Sequence, residues 1–105
     1  GILDIESDNN MIPDKIFISQ NYPNPFNPTT KFVYTIDKPG IASLKIYDVM
    51  GKLIYTVFDG YKKSGIFEEE WTGVNKNNQL LSSGIYFYNL SSGGKSITKK
   101  MVLSK

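Results

Sequence analysis

The chain has 105 residues, 40% hydrophobic and 21% charged, with a formal net charge of +2. That suits one domain with a modest core, and the charge is too small to favour a nucleic-acid surface. Cysteine and histidine are both absent, which removes disulfides, thiolate and imidazole metal sites, and the Ser-His-Asp and Cys-His nucleophilic machineries.

Residues 1–12 are acidic and polar and read as a linker or the tail of an upstream domain, with the domain proper over residues 13–105 and its boundary near Pro13. No basic segment followed by an apolar stretch opens the chain, so a signal peptide is not expected there. No apolar run approaches the ~20 residues that a membrane-spanning helix needs. Beyond Pro13 the sequence breaks into short segments rich in β-branched and aromatic residues, separated by turn residues, and helical periodicity is nearly missing. The first predicted strand is 15–19, with Ile16 and Ile18 on one face.

Residues 20–30 then carry Pro23, Pro25 and Pro28, three of the five prolines. Each fixes φ, removes a backbone donor and pushes the residue before it towards extended geometry, so this stretch is neither strand nor helix but a stiff, shaped crossover. Asn24 and Asn27 are placed to bond nearby backbone, and Tyr22 and Phe26 to plug the end of a core.

The second strand, 29–36, alternates Phe32, Tyr34 and Ile36 against Lys31, Val33 and Thr35, and Lys38-Pro39-Gly40 ends it. The third, 41–47, sets Ala42, Leu44 and Ile46 on one face and leads through Asp48-Val49-Met50-Gly51 into a fourth strand ending near Phe58. In that hairpin Asp48 is expected to accept turn amides and Gly51 to take the left-handed position. A fifth strand, 65–71, puts Phe67, Glu69 and Trp71 on one face, which requires Glu69 to lie at a sheet edge or to find a partner. The sixth, 85–90, is apolar on both faces as a central strand is, and Ser91-Ser92-Gly93-Gly94 turns it into the last, 95–103. Parity groups Lys99 with Ile97, Met101 and Leu103, so either Lys99 emerges at an edge or a bulge changes the register before Met101. Seven strands in about 90 residues predict an all-β, immunoglobulin-like sandwich.

Chemistry is sparse. Asp48, Asp59 and Glu68 to Glu70 are candidates for a carboxylate pair, and they read better as turn and solvated-strand residues. Ser92-Gly93-Gly94-Lys95 lacks the spacing and following helix of a phosphate loop. The oxygen-rich Asn75 to Gln79 loop contains no carboxylate for calcium. No metal or cofactor is expected. Trp71, Tyr34, Tyr86 and Phe67 have inward parity, leaving Tyr61, Phe58 and Phe87 as the expected exposed aromatics, the platform that a carbohydrate-binding module would use.

The run Gln20-Asn21-Tyr22-Pro23-Asn24-Pro25-Phe26-Asn27-Pro28-Thr29-Thr30, then Ile46-Tyr47-Asp48-Val49-Met50-Gly51-Lys52, Trp71-Thr72-Gly73, Ser83-Gly84-Ile85-Tyr86-Phe87-Tyr88 and Lys99-Lys100-Met101-Val102-Leu103 resembles the C-terminal sorting domains of the bacterial type IX (Por) secretion system, type A. The chain is similar also to the immunoglobulin-like domain of flagellar hook-capping proteins. Glu69 departs from the family pattern, where an apolar residue is usual. The resemblance implies an upstream passenger, recognition by an outer-membrane translocon after transit of the periplasm, and removal by a sortase-type peptidase at the cell surface. The cut is expected within Glu6 to Pro13. Recognition is expected on the last hairpin, at Gly84, Tyr86, Lys99, Lys100, Met101, Val102 and Lys105. Other readings of the same residues are an immunoglobulin-like spacer or scaffold and a carbohydrate-binding module of a secreted enzyme.

Overall fold

Period-two alternation of large apolar side chains demands two sheets that face each other, and the computed structural model, which describes residues 15–105, has that arrangement. The linker at residues 1–12, the boundary at Pro13 and the expected cleavage region lie outside the described residues. The strands are β1 (Phe17–Ile18), β2 (Thr30–Ile36), β3 (Gly40–Tyr47), β4 (Leu53–Lys62), β5 (Gly65–Trp71), β6 (Gly84–Ser92) and β7 (Lys95–Leu103). They form two antiparallel sheets, β1-β2-β5 and β4-β3-β6-β7, an immunoglobulin-like β-sandwich. The first strand is shorter than the sequence suggests, and β4 runs on past Phe58 to Lys62.

Ile18, Phe32, Tyr34 and Ile36 from the small sheet meet Leu44, Ile46, Tyr88, Leu90, Met101 and Leu103 from the large one. Each fully buried side chain of this kind contributes roughly 1.5–3 kcal/mol. At the β3–β4 turn, Asp48 Oδ1 accepts the amides of Met50 and Lys52, both at 2.9 Å, and Gly51 takes φ +82°. The anticipated three-residue loop forms as its residues require.

Phe58 is a correction. Lys45 pairs with Thr56 and Leu44 with Phe58, so Val57 is an extra residue, and this bulge turns both Tyr55 and Phe58 inward. Phe58 is therefore half-buried and stacks on Tyr34, centroids 5.2 Å apart, instead of lying exposed. Glu69 meets both of its conditions. Its strand β5 is outermost in the small sheet, and its Oε2 accepts the Tyr34 hydroxyl at 2.8 Å and lies 3.5 Å from Lys62 Nζ. Burial first, and the Glu69 hydrogen bond second, push the Tyr34 phenol well above its ordinary range. Lys99 resolves in favour of the edge. The β6–β7 register is continuous, β7 is outermost in the large sheet, and no bulge intervenes.

The two sheets are also clamped at one end. Asp37, following β2, accepts Lys95 Nζ at 2.8 Å with its side chain 7% exposed. The Lys95 hydrogen bond holds the Asp37 carboxyl below its ordinary value of 3.8. A depressed pKa contributes stability above the unfolded-state value and loses it as pH falls through the folded one. The thermal midpoint should exceed that of Asp37→Asn at neutral pH, and the gap should close on acidification below about pH 4. A gap that stays constant across that range would remove the ion pair from the account.

Candidate recognition surface

The proline-rich crossover does more than connect β1 to β2. Asn21, buried, donates its side-chain amide to Pro23 C=O (3.1 Å) and Thr30 Oγ1 (3.0 Å), and its backbone N–H to the Tyr88 hydroxyl (3.0 Å). The Tyr88 hydroxyl in turn donates to Ser19 C=O at 2.7 Å, and burial pushes this phenol up to about 12. With its inner end fixed in this way, the crossover lies along the last strand. Phe26 N–H donates to Val102 C=O (2.9 Å), Ser104 N–H to Phe26 C=O (2.9 Å), Val102 N–H to Asn24 Oδ1 (3.0 Å) and Gln20 Nε2 to Lys100 C=O (2.7 Å). The proline segment therefore staples the C-terminal half of the β7 edge.

Phe26 plugs the core as expected and meets Trp71 at 5.7 Å. Tyr22 does not, being 79% exposed and held by its backbone pairing with Lys31. Asn24 reaches a distant strand and not neighbouring backbone, and the Asn27 side chain makes no hydrogen bond among the described residues. Pro25 and Pro28 are exposed, but the Pro28 carbonyl sits 2.8 Å from where a Cβ on Gly73 would fall. Gly73 also has φ +71°, so this position accepts no side chain without moving backbone. Trp71, buried, donates Nε1 to Val74 C=O at 3.1 Å and packs towards Tyr55 of the opposite sheet at 6.1 Å.

The last hairpin divides its residues between two faces. Tyr86 pairs with Met101 and Gly84 with Leu103 on the inner side, where Tyr86 and Met101 are buried and the Tyr86 hydroxyl donates to Ser82 C=O at 2.8 Å. Lys99, opposite Tyr88, is half-exposed at the rim. Lys100 pairs with Phe87 and Val102 with Ile85 on the outer face, and Phe87 continues to Tyr47 and then Leu53. Lys105 is exposed, its N–H donated to Ser83 Oγ at 3.1 Å. Lys100 thus borders an apolar outer patch of Phe87, Ile85, Val102 and Tyr47. Single-residue parity pointed to Phe87 alone, and it is half-buried against its neighbours instead of exposed, because a patch assembled from three strands depends on their order and register.

The three aromatics expected to be exposed do not form one platform. Tyr61 is exposed opposite Ile41, six residues along β3 from the Tyr47–Phe87 row, or about 20 Å at strand spacing, and Phe58 is on the inner side. In the oxygen-rich loop Asn75 Oδ1 accepts the amides of Asn77 (2.9 Å) and Gln79 (3.0 Å), so it closes a turn.

Two antiparallel sheets, a stapled C-terminal hairpin and no helix among the described residues define an immunoglobulin-like β-sandwich domain. The chain belongs to the secretion system C-terminal sorting domain family, whose model matches residues 20–104, and so carries a sorting signal of the type IX route to the cell surface or beyond. No curated protein is significantly similar to it. Among solved structures it is similar to dimeric latent PorU from Porphyromonas gingivalis, with TM-score 0.66, 22% identity, and coverage of 94% of this chain and 10% of that one. It is similar also to PorZ of the same organism, a surface component of the type IX system, with TM-score 0.56, 21% identity, and coverage of 88% and 12%. FlgD from P. aeruginosa shares the fold, with TM-score 0.51, 15% identity, and coverage of 89% and 75%. This chain spans about a tenth of PorU and of PorZ.

Proposed function

We propose that this domain is a folded address label, read by the outer-membrane translocon and then removed by a sortase-type peptidase that cuts on its N-terminal side, within Glu6 to Pro13. The observation that carries this reading is the family match over nearly the whole described chain. The hairpin geometry refines the roles. Lys99, Lys100, Val102 and Lys105 present side chains outward or at the rim and are the contact residues, while Gly84, Tyr86 and Met101 act by holding the hairpin against the core.

Residues 13–105 fused behind a periplasmic reporter should carry it to the surface or medium of the species this chain comes from. Replacing Lys99, Lys100 and Lys105 with serine or glutamine should change stability by less than ~0.5 kcal/mol, as surface substitutions do, and yet impair export. Retention of the folded, unmodified fusion in the periplasm would sink the reading, and a functioning native fusion in the same host is the control. Unimpaired export of the lysine variant would move recognition to the outer patch or to the sandwich as a whole.

A further inference from the structure

The staple covers only part of the last strand. Phe26 bonds Val102 C=O and Ser104 N–H, so the even-numbered residues of β7 turn their backbone groups away from β6. Lys100 C=O, both groups of Val102 and Ser104 N–H are satisfied by Gln20, Asn24 and Phe26. The N–H and C=O of Ser96 and Thr98 and the N–H of Lys100 have no protein partner among the described residues. This stretch is regular, and open regular edges invite strand pairing. The other edges are less available. The β1 strand has only two residues, β4 is bulged and gives Ile54 C=O to Lys76, and β5 carries three consecutive glutamates.

We propose that the bare half of the β7 edge, Ser96 to Lys100, accepts an extended acidic segment of a partner protein by strand addition. This deepens the sorting reading and rests on it for the partner's place in export. Charge selects the occupant. The β7 strand contains Lys95, Lys99 and Lys100 and no carboxylate. Lys95 is committed to Asp37, whereas Lys99 and Lys100 have no ion-pair partner among the described residues. They lie on opposite faces of the strand, so carboxylates on either face of an added strand find a cation. A second copy of β7 would bring further lysines and no carboxylate to this edge. Half-buried Ile97, between Thr98 and Ser96, offers an apolar seat to an inward side chain of the guest.

The probe is a short capped peptide alternating valine with glutamate, added to the isotope-labelled domain and followed by amide exchange. Ser96, Thr98 and Lys100 amides should gain protection, while Val102 and Ser104 should be protected with or without peptide. Lys99→Glu with Lys100→Glu should weaken binding roughly tenfold or more. Thr98→Pro removes one outward N–H at an edge position that tolerates proline, together with the exposed Asn89 Nδ2–Thr98 Oγ1 hydrogen bond, and should abolish binding while lowering the thermal midpoint only slightly. Protection that does not appear at residues 96–100 of the unmodified domain overturns the proposal, as does equal binding of a valine–lysine peptide. Concentration-dependent self-association that buries the same amides would assign the edge to a second copy instead. Export separates the two readings: if the unmodified fusion is exported and Thr98→Pro is exported equally well, the edge proposal fails and the sorting reading stands. If the unmodified fusion is retained, the sorting reading fails and peptide binding still decides the edge.

Discussion

Truncating Trp71 to alanine will destabilise the domain by about 3–5 kcal/mol, a large share of the 5–15 kcal/mol typical of small domains. The indole is 2% exposed, bridges from β5 to Tyr55 in the opposite sheet, and spends its only polar group on Val74 C=O. Removing it leaves a cavity beside Phe26 and strands a buried carbonyl. Denaturant unfolding followed by circular dichroism measures the loss. In the unmodified protein this single tryptophan should emit in the blue and resist a soluble quencher. A loss below ~1 kcal/mol would mean that the site collapses around the missing ring.

Phe26→Ala should cost a similar ~3–5 kcal/mol and act differently. The ring is 1% exposed and anchors the segment whose backbone pairs with Val102 and Ser104. Its loss should therefore release the staple, and exchange should accelerate at the Phe26, Val102 and Ser104 amides before the rest of the sheet opens. Asn24→Ala, which removes one hydrogen bond and leaves the ring in place, should cost only about 1 kcal/mol. Because the Phe26 and Trp71 rings touch, the double variant should lose less than the sum of the two single losses. Strict additivity would show that the two rings stabilise separate parts of the core.

Much of the sandwich was legible because period-two alternation has one reading wherever a strand is regular. Phe32, Tyr34 and Ile36, or Ala42, Leu44 and Ile46, face inward by parity alone. The Asp48–Gly51 hairpin was legible because its chemistry is local. Phe58 was misplaced because a bulge at Val57 depends on the partner strand and leaves no local mark. Tyr22 was misplaced because prolines constrain the backbone without saying which aromatic turns inward. Gln20 and Asn21, polar residues beside the prolines, gave no sign that one would cap a strand 80 residues on and the other would be buried against Tyr88. The fold and the family motifs could be read from residues in sequence; the surface could not, since Lys100, Val102, Phe87, Ile85 and Tyr47 become neighbours only through strand order.

The staple also ties the completeness of the core to the last residues of β7 and beyond. Met101 and Leu103 complete the core, and Val102 and Ser104 supply the partners for Asn24 and Phe26. A chain that stops before Met101 lacks two buried side chains and leaves Asn24 and the Phe26 backbone without their partners. The stretch that shapes the start of the domain is anchored at its inner end by Thr30, Lys31 and Tyr88, but its outer end is completed by Val102 and Ser104. A chain cut before Met101 should therefore lose both the core side chains and the edge pairing at once, rather than one without the other.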